Sequence, residues 1–250
     1  MKKTFPLIIF WLALVGCQAT KKPALTIAAA ANVQFAMQEL VASFTQLTGI
    51  DCRVVSGSSG KLTAQIKEGA PYDLFVSANK KYPEELYRSG LTTAAPQVYA
   101  FGKLVLWSAH ENVRPSISAL ADKSTQYIAM ANPKTAPYGM AAVEALQYYG
   151  LIRAVEKKIV FGESISQANQ FILSKTVDFG FTAKSVVLSP KVKGRGQWIE
   201  IEQPAYAPIA QGVVVFKNGK VNEASKFYHF LFSRQAKIIL KKYGYHVEGL

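Results

Sequence analysis

Cysteine and histidine are scarce in this sequence of 250 residues. It contains two cysteines, Cys17 and Cys52, and three scattered histidines. Because Cys17 lies in an N-terminal segment of the kind processed on export, Cys52 has no second thiol for an internal disulfide. The same shortage excludes a zinc site, which needs about four clustered ligands, so no metal cation is expected. Cys52, in the apolar segment "DCRVV", is predicted to be a small buried core residue.

The N-terminus lacks an apolar run long enough to span a bilayer. "MKK" precedes "FPLIIFWLAL", and "VGC" follows. This order is typical of a secretory signal, and residues 14–17, "LVGC", resemble the bacterial lipobox, whose cysteine becomes the lipidated first residue. We therefore predict a lipoprotein signal peptide over 1–16, lipidation of Cys17, a linker over 17–24, and a membrane-anchored protein facing the periplasm or cell exterior. An ordinary signal that happens to contain a cysteine is the alternative.

The sequence also lacks the residue pattern of a catalytic centre. A nucleophilic enzyme needs a nucleophile beside a base and an orienting group. "SGSSG", residues 56–60, lacks the Gly-x-Ser-x-Gly context of a nucleophile elbow with His and Asp partners further on. No carboxylate pair stands out either. We therefore expect a binding protein and not an enzyme, with a purely structural or sensory lipoprotein as an alternative.

Acidic residues are few. The chain has 16 Asp and Glu against 29 Lys and Arg, and its formal net charge is +13. Such an excess favours anionic partners, which include nucleic acid, anionic membrane surfaces and small anions. Predicted export argues against nucleic acid, and the basic residues are dispersed along the chain.

Predicted strands and helices alternate in two series. The first contains "ALTIAAA", a helix with Asn32 as its N-cap, "CRVVS", a helix with Leu62 and Ile66 on one face, "YDLFVSA" and "PEELYRSG". The second contains "YIAMANP", "YGMAAVEALQYYG", "KKIVFG", "SISQANQFILSK" and "VDFGFTA". Repeated β-α-β units with short connections predict parallel sheets that are covered on both faces.

Two long apolar strands, "GKLVLWSA" and "APIAQGVVVFK", connect these series, and one amphipathic helix, "VNEASKFYHFLFSRQAKIILKKYG", closes the chain. The pattern predicts an α/β fold of two lobes, each a mostly parallel sheet flanked by helices, with a two-strand hinge. Lobe 1 is predicted to comprise residues 25–104 and 210–250, and lobe 2 residues 105–209.

Small residues and hydrogen-bond donors gather in three turns between a strand and a helix. These turns are "AAAAN", "SGSSG" and "NPKTAPYG". Ligands of open α/β sheets bind beyond the carboxyl ends of the strands, at helix N-termini. Free N–H groups, hydroxyls and the positive end of the helix dipole suit an anion. An anion site between the lobes is therefore predicted, although Gly and Ser are also common in turns for conformational reasons alone.

Several segments, in the same order over residues 25 to the end, resemble the substrate-binding proteins of molybdate ABC importers. They are "LTIAAAANVQFAMQELVASFTQLTG", "SGSSGKLTAQIKEGAPYDLFVSANKKYPEEL", "FGKLVLW", "NPKTAPYGMAAVEALQYYG" and "FLFSRQAKIILKKYGY". The resemblance implies the type II periplasmic-binding-protein fold, in agreement with the two lobes. It also implies molybdate or tungstate as the ligand, ABC importer membrane subunits as partners, no cofactor, and a monomer. A binding protein for another oxyanion, such as sulfate or thiosulfate, is the alternative.

Family members hold a bare tetrahedral dianion with hydroxyls and backbone amides, and the resemblance transfers these contacts by position. The first falls on Asn32, where the family more often has serine, with the amide of Ala31 assisting. The second falls on Ser59, as hydroxyl and amide. The third falls on Tyr138 in "APYG", and the fourth on the amide of Ile165 in "GESIS".

One family donor is missing, because Ala183 stands where a tyrosine commonly follows the "DFGF" strand. We predict that the hydroxyl of Tyr138 replaces it. A site made only of donors suits molybdate, tungstate and sulfate, which offer only acceptors at neutral pH. It disfavours monohydrogen phosphate, which carries a proton and requires an acceptor.

Overall fold

A computed structural model describes residues 24–249 of the chain. The first series of elements is β1 (Leu25–Ala30), α1 (Gln34–Thr48), β2 (Cys52–Gly57), α2 (Ser59–Lys67), β3 (Leu74–Val76), α3 (Lys81–Arg88) and β4 (Gln97–Gly102). The second is β5 (Leu104–Ser108), β6 (Ile128–Ala131), α4 (Pro137–Tyr148), α5 (Ile152–Val155), β7 (Ile159–Gly162), α6 (Ile165–Leu173), β8 (Phe179–Ala183), α7 (Lys184–Val187) and β9 (Gln197–Glu200). The chain ends with β10 (Ile209–Val215), α8 (Val221–Leu231) and α9 (Arg234–Lys242). Short 3-10 helices cover Ala31–Val33, Ser118–Ala121 and Glu156–Lys158.

The strands form two sheets of five, with the orders β2-β1-β3-β10-β4 and β7-β6-β8-β5-β9. The predicted parallel pairs are present, β1 with β2 and β3, and β6 with β7 and β8. Both sheets are mixed, because β10 runs antiparallel to β3 and β4, and β5 runs antiparallel to β8 and β9. The two-lobed α/β architecture expected from the sequence is thereby confirmed.

The chain crosses between the sheets twice, at residue 103 between β4 and β5 and over residues 201–208 between β9 and β10. β5 begins one residue before the predicted start of lobe 2, and β10 begins one residue before the predicted return to lobe 1. We propose these crossings as the two-strand hinge. Hereafter lobe 1 is the first sheet with its helices, and lobe 2 is the second.

Each lobe has its own apolar core. β1 is buried along its whole length, and the lobe 1 core gathers Phe44, Phe227 and Phe230 around it. The lobe 2 core contains Trp107 and Phe181, both almost completely buried. The lobe 2 core also includes Ala30, Ala31 and Ala78 of lobe 1, so apolar packing continues from one lobe to the other beside the cleft.

The C-terminal segment corrects one prediction, since the single helix expected after β10 is two helices, α8 and α9. Ser233 separates them, and its hydroxyl accepts a hydrogen bond from the Ala236 N–H at 3.2 Å. A serine in this position caps a new helix, so the amphipathic pattern continues across a turn that periodicity alone does not show.

Cys52 starts β2 and is half-buried at the edge of the lobe 1 core, less enclosed than predicted. Burial, with Asp51 nearby, raises the pKa of its thiol to about 11. Within residues 24–249, no helix is long and apolar enough to cross a bilayer, and no cluster of His, Cys, Asp and Glu could hold a metal ion. The predicted signal peptide and Cys17 lie outside the described residues.

Candidate functional site

A small cavity lies between the lobes. Its walls are the turns that follow β1, β2, β3, β6 and β7. The lining residues are Ala30, Ala31, Asn32, Gly57, Ser58, Ser59, Ala78, Ala136, Pro137, Tyr138 and Ile165. All five residues predicted as ligands are among them, and no lining residue carries a charge.

Four backbone N–H groups at helix starts belong to this lining. Ser59 and Ile165 are the first residues of α2 and α6, Tyr138 is the second residue of α4, and Asn32 lies in the 3-10 turn before α1. Within residues 24–249, none of these four N–H groups has a hydrogen-bond acceptor. The first N–H groups of a helix carry the positive end of its dipole, so the cavity presents unbonded donors from both lobes.

The hydroxyl of Ser59 is oriented by a neighbouring strand end. Its Oγ accepts the Ala78 N–H at 3.0 Å, and the residue is 1% exposed. Because the oxygen acts as an acceptor there, its own proton remains to be donated into the cavity. Ser58 lines the cavity too, and its buried Oγ has no partner among the described residues. Sequence reasoning had not singled out Ser58.

Asn32 is not the N-cap of α1, which corrects one prediction. The turn Ala31–Val33 precedes the helix, and Val33 occupies the cap position without a side-chain hydrogen bond. The Asn32 side chain instead points inward, where its Nδ2 donates to Gln211 Oε1 and to the Tyr245 hydroxyl, each at 3.0 Å. A carboxamide that is 2% exposed requires such partners.

The Tyr138 hydroxyl already has a side-chain partner in the structure. Its hydroxyl accepts a hydrogen bond from Gln211 Nε2 at 3.3 Å and lies against Gly102, where an added Cβ would be 2.0 Å from the phenol oxygen. The hydroxyl is therefore bonded to Gln211, and the backbone N–H of Tyr138 has no acceptor within residues 24–249. Burial, with Tyr245 and Tyr99 nearby, raises the pKa of Tyr138 well above its usual range, so the phenol stays neutral.

Next to Ala183, a serine makes a contact between the lobes. Ala183 ends β8 and is fully buried. Two residues later, the hydroxyl of Ser185 donates to the carbonyl oxygen of Asn32 at 2.7 Å and lies 3.1 Å from the Tyr245 hydroxyl. Ser185 belongs to lobe 2, whereas Tyr245 comes from the C-terminus and packs in the lobe 1 core. Ser185 and Tyr245 thus form hydrogen-bonded contacts between the two lobes next to Ala183.

Gln211 and Tyr245 are functional candidates that sequence reasoning missed. Gln211 is fully buried in the middle of β10. The sequence contains one indication of the role of Gln211: a polar side chain within the apolar segment "APIAQGVVVFK" requires a buried hydrogen-bond partner.

The mouth of the cleft is closed. The Gly60 N–H of lobe 1 donates to the Thr135 carbonyl oxygen of lobe 2 at 2.8 Å. A Cβ at Gly60 would lie 2.9 Å from Thr135 Cα, so this close approach requires glycine. Lys61 and Glu163 form an exposed ion pair beside it. The two lobes meet here around an enclosed space with neutral donors, which is the arrangement of a two-lobed solute-binding protein.

Comparison with known proteins gives the family. The chain belongs to the bacterial extracellular solute-binding proteins, whose family model matches residues 25–246. It is therefore a binding protein of the transport type that works outside the cytoplasm, and not an enzyme, as predicted from the sequence.

Among its relatives is the molybdate-binding protein ModA of Rhodobacter capsulatus, which is 38% identical over 88% of this chain and 87% of its own. The solved periplasmic molybdate-binding protein of Azotobacter vinelandii superimposes with a TM-score of 0.85 at 33% identity, covering 90% of this chain and 100% of that one. A Bacillus subtilis relative, 28% identical over 95% of each chain, is described as a putative ABC transporter substrate-binding lipoprotein. The type II periplasmic-binding-protein fold is thereby confirmed.

Proposed function

We propose that this protein binds molybdate or tungstate between its lobes. It acts as a monomer and delivers the anion to the membrane subunits of an ABC importer. The observation that carries the proposal is the lining of the cavity, where unbonded N–H groups and a serine hydroxyl converge without any charged side chain. Identities of 38% and 36% to two molybdate-binding proteins support the choice of anion.

The donor set gives the proposed chemistry. The amides of Asn32, Ser59, Tyr138 and Ile165 and the Ser59 hydroxyl are the proposed ligands, with the Ala31 amide beside them. Each hydrogen bond to a charged group contributes about 1.5–3 kcal/mol, so this set is sufficient for tight binding. Since the proposed ligands only donate, an anion that carries a proton of its own leaves that proton without an acceptor.

A thermal-shift experiment tests the ligand. A ligand that binds only the folded state, at 1,000 times its dissociation constant, adds about 4 kcal/mol of stability. For a chain of this size, molybdate and tungstate should therefore raise the Tm by roughly 8–16 °C. Phosphate at the same concentration is the control and should leave the Tm unchanged. A larger rise with sulfate than with molybdate would overturn the assignment in favour of a sulfate-type binder.

Substitution of Ser59 by alanine tests the site. Loss of one hydroxyl that donates to a buried dianion should weaken molybdate binding by a factor of about 10 to 150. Isothermal titration calorimetry measures this change. Ser56→Ala is the matched control, since Ser56 is exposed in the same turn region and does not line the cavity. Equal affinities for Ser59→Ala and Ser56→Ala would remove the Ser59 hydroxyl from the site.

We also propose that Cys17 carries a lipid that holds the protein at the membrane. The segment "LVGC" and the description of the Bacillus subtilis relative as a lipoprotein support this. Cys17→Ser should release the protein into the soluble fraction without changing its affinity for molybdate. Mass spectrometry of the mature wild-type chain gives the decisive result, because an unlipidated N-terminus would contradict the proposal.

A further inference from the structure

Behind the cavity, one hydrogen bond joins two buried carboxamides to each other, and three more join them to tyrosine hydroxyls. Asn32 Nδ2 donates to Gln211 Oε1 and to the Tyr245 hydroxyl, each at 3.0 Å. The Tyr99 hydroxyl donates to Gln211 Oε1 at 2.8 Å, and Gln211 Nε2 donates to the Tyr138 hydroxyl at 3.3 Å. Lobe 1 supplies Asn32 and, from strand β10, Gln211, whereas lobe 2 supplies Tyr138.

This arrangement leaves the Asn32 carboxamide oxygen without a hydrogen-bond donor, and such an oxygen is unfavourable beside a dianion. Both hydrogens of Asn32 Nδ2 are already donated, and Asn32 Oδ1 is buried with no donor anywhere in residues 24–249. Because Nδ2 is directed at Gln211 and Tyr245, Oδ1 of the same planar amide is turned away from them, and Asn32 is a residue of the cavity wall. A fully deprotonated oxyanion also has only acceptors and would be repelled by that atom.

Reversal of the Asn32 carboxamide alone does not solve this problem. It would turn Nδ2 toward the cavity, but it would also place Oδ1 against Gln211 Oε1, two acceptors at the site of a 3.0 Å hydrogen bond. Gln211 therefore controls which face of the Asn32 amide the cavity meets.

Resting on the proposed function, we propose that Gln211 is a positioning residue whose carboxamide reverses together with that of Asn32 when the dianion binds. After the joint reversal, Asn32 Oδ1 accepts from Gln211 Nε2 and from the Tyr245 hydroxyl. The Tyr245 proton then leaves its present acceptors, the Asn32 carbonyl oxygen and Ser185 Oγ, and the carbonyl oxygen keeps the Ser185 hydroxyl as its donor. Gln211 Nε2 also donates to the Tyr99 oxygen, and the Tyr138 hydroxyl donates to Gln211 Oε1. Each of the four contacts again pairs a donor with an acceptor, and Asn32 Nδ2 becomes a donor to the anion.

The tyrosines make such a reversal possible because a neutral hydroxyl can both donate and accept. Burial raises the pKa values of Tyr99 and Tyr138 well above their usual range and that of Tyr245 to about 12. All three stay protonated near neutral pH. The network is thus a two-state element in which the anion favours one state, and it spans the hinge.

A double-mutant cycle with molybdate as the probe tests this inference. Gln211→Met keeps the length of the side chain and removes both polar atoms. It should weaken binding about tenfold in the wild-type background and less than about twofold in an Asn32→Ala background, since Gln211 acts through Asn32. Thr182→Val is the matched control, because Thr182 is also fully buried but bonds Asn169 in lobe 2. It should change affinity little in either background.

Equal weakening by Gln211→Met in both backgrounds would overturn the coupling. A second measurement needs no substitution at Gln211: in ¹⁵N-labelled wild-type protein, the side-chain amide resonances of Asn32 and Gln211 should both shift on addition of molybdate. An unchanged Gln211 resonance in the molybdate-bound protein would also overturn the inference. Wild-type protein that binds no molybdate would refute the proposed function together with this inference, whereas binding with additive variants would refute the inference alone.

Discussion

Replacement of Gly139 by alanine should abolish molybdate binding and lower the free energy of unfolding by about 3 kcal/mol or more. Gly139 lies in the first turn of α4, directly after Tyr138. A Cβ at this position would be 2.1 Å from the Ala131 carbonyl oxygen, 2.8 Å from its carbon and 3.0 Å from the Asn132 carbonyl carbon. All three atoms are backbone, so no side chain can move aside. Relief requires separation of α4 from the end of β6, which would displace the Tyr138 N–H from the cavity.

Denaturant unfolding and calorimetry measure the two effects of Gly139→Ala. Gly57→Ala is the matched control for stability, because its Cβ would meet only the Leu62 side chain, at 3.4 Å. The control should stay within about 1 kcal/mol of wild type. A Gly139→Ala protein that is as stable as the control and binds molybdate normally would show that the close packing of α4 on β6 does not position the site.

The parts of the site that sequence could predict are those built by local chain order. A strand that ends in small residues and passes directly into a helix places free N–H groups at one sheet edge, whatever the rest of the chain does. Ser59, Tyr138 and Ile165 are all in such turns, and the structure brings them to one cavity.

The network behind the cavity could not be predicted in the same way, because its partners are far apart in sequence. Gln211 is 179 residues from Asn32, and Tyr245 is 213 residues away. Only the antiparallel insertion of β10 between β3 and β4 brings Gln211 under the site. Helix and strand periodicity report which face is apolar, and they do not identify the partner of a buried polar group.

Asn32 illustrates how a local rule can be overridden. Asparagine before a helix is a favoured N-cap, and a cap hydrogen bond contributes about 1 kcal/mol. The inward orientation gives the carboxamide two hydrogen bonds, to Gln211 and Tyr245, in a buried environment. Since unpaired buried polar groups are costly, the tertiary partners determine the conformation. The buried hydroxyl of Tyr138 likewise needs a polar partner, which explains why it lies beside Gln211.

Substitution of Gly102 by alanine should lower the free energy of unfolding about as much as substitution of Gly139. Here, however, a second substitution, at Tyr138, can relieve the steric conflict. It is the last residue of β4, directly before the first crossing to lobe 2. A Cβ there would lie 2.0 Å from the Tyr138 hydroxyl oxygen, 2.7 Å from Gln211 Nε2 and 3.0 Å from Tyr138 Cζ. The shortest contact is with the Tyr138 hydroxyl oxygen from the other lobe, and the second is with the amide nitrogen of Gln211; both atoms lie at the end of a side chain.

Gly102→Ala should therefore lower the free energy of unfolding by about 3 kcal/mol, and Tyr138→Phe in the same chain should restore part of this loss by removing the shortest contact. Tyr138→Phe alone removes one hydrogen bond to Gln211 and should cost about 1 kcal/mol. The double variant should consequently be more stable than Gly102→Ala alone, a strongly non-additive result for two residues in contact. Denaturant unfolding of the wild type, both single variants and the double variant gives the coupling free energy. If the two losses simply add, the Tyr138 hydroxyl does not contact the hinge, and its place in the network of Gln211 is refuted as well.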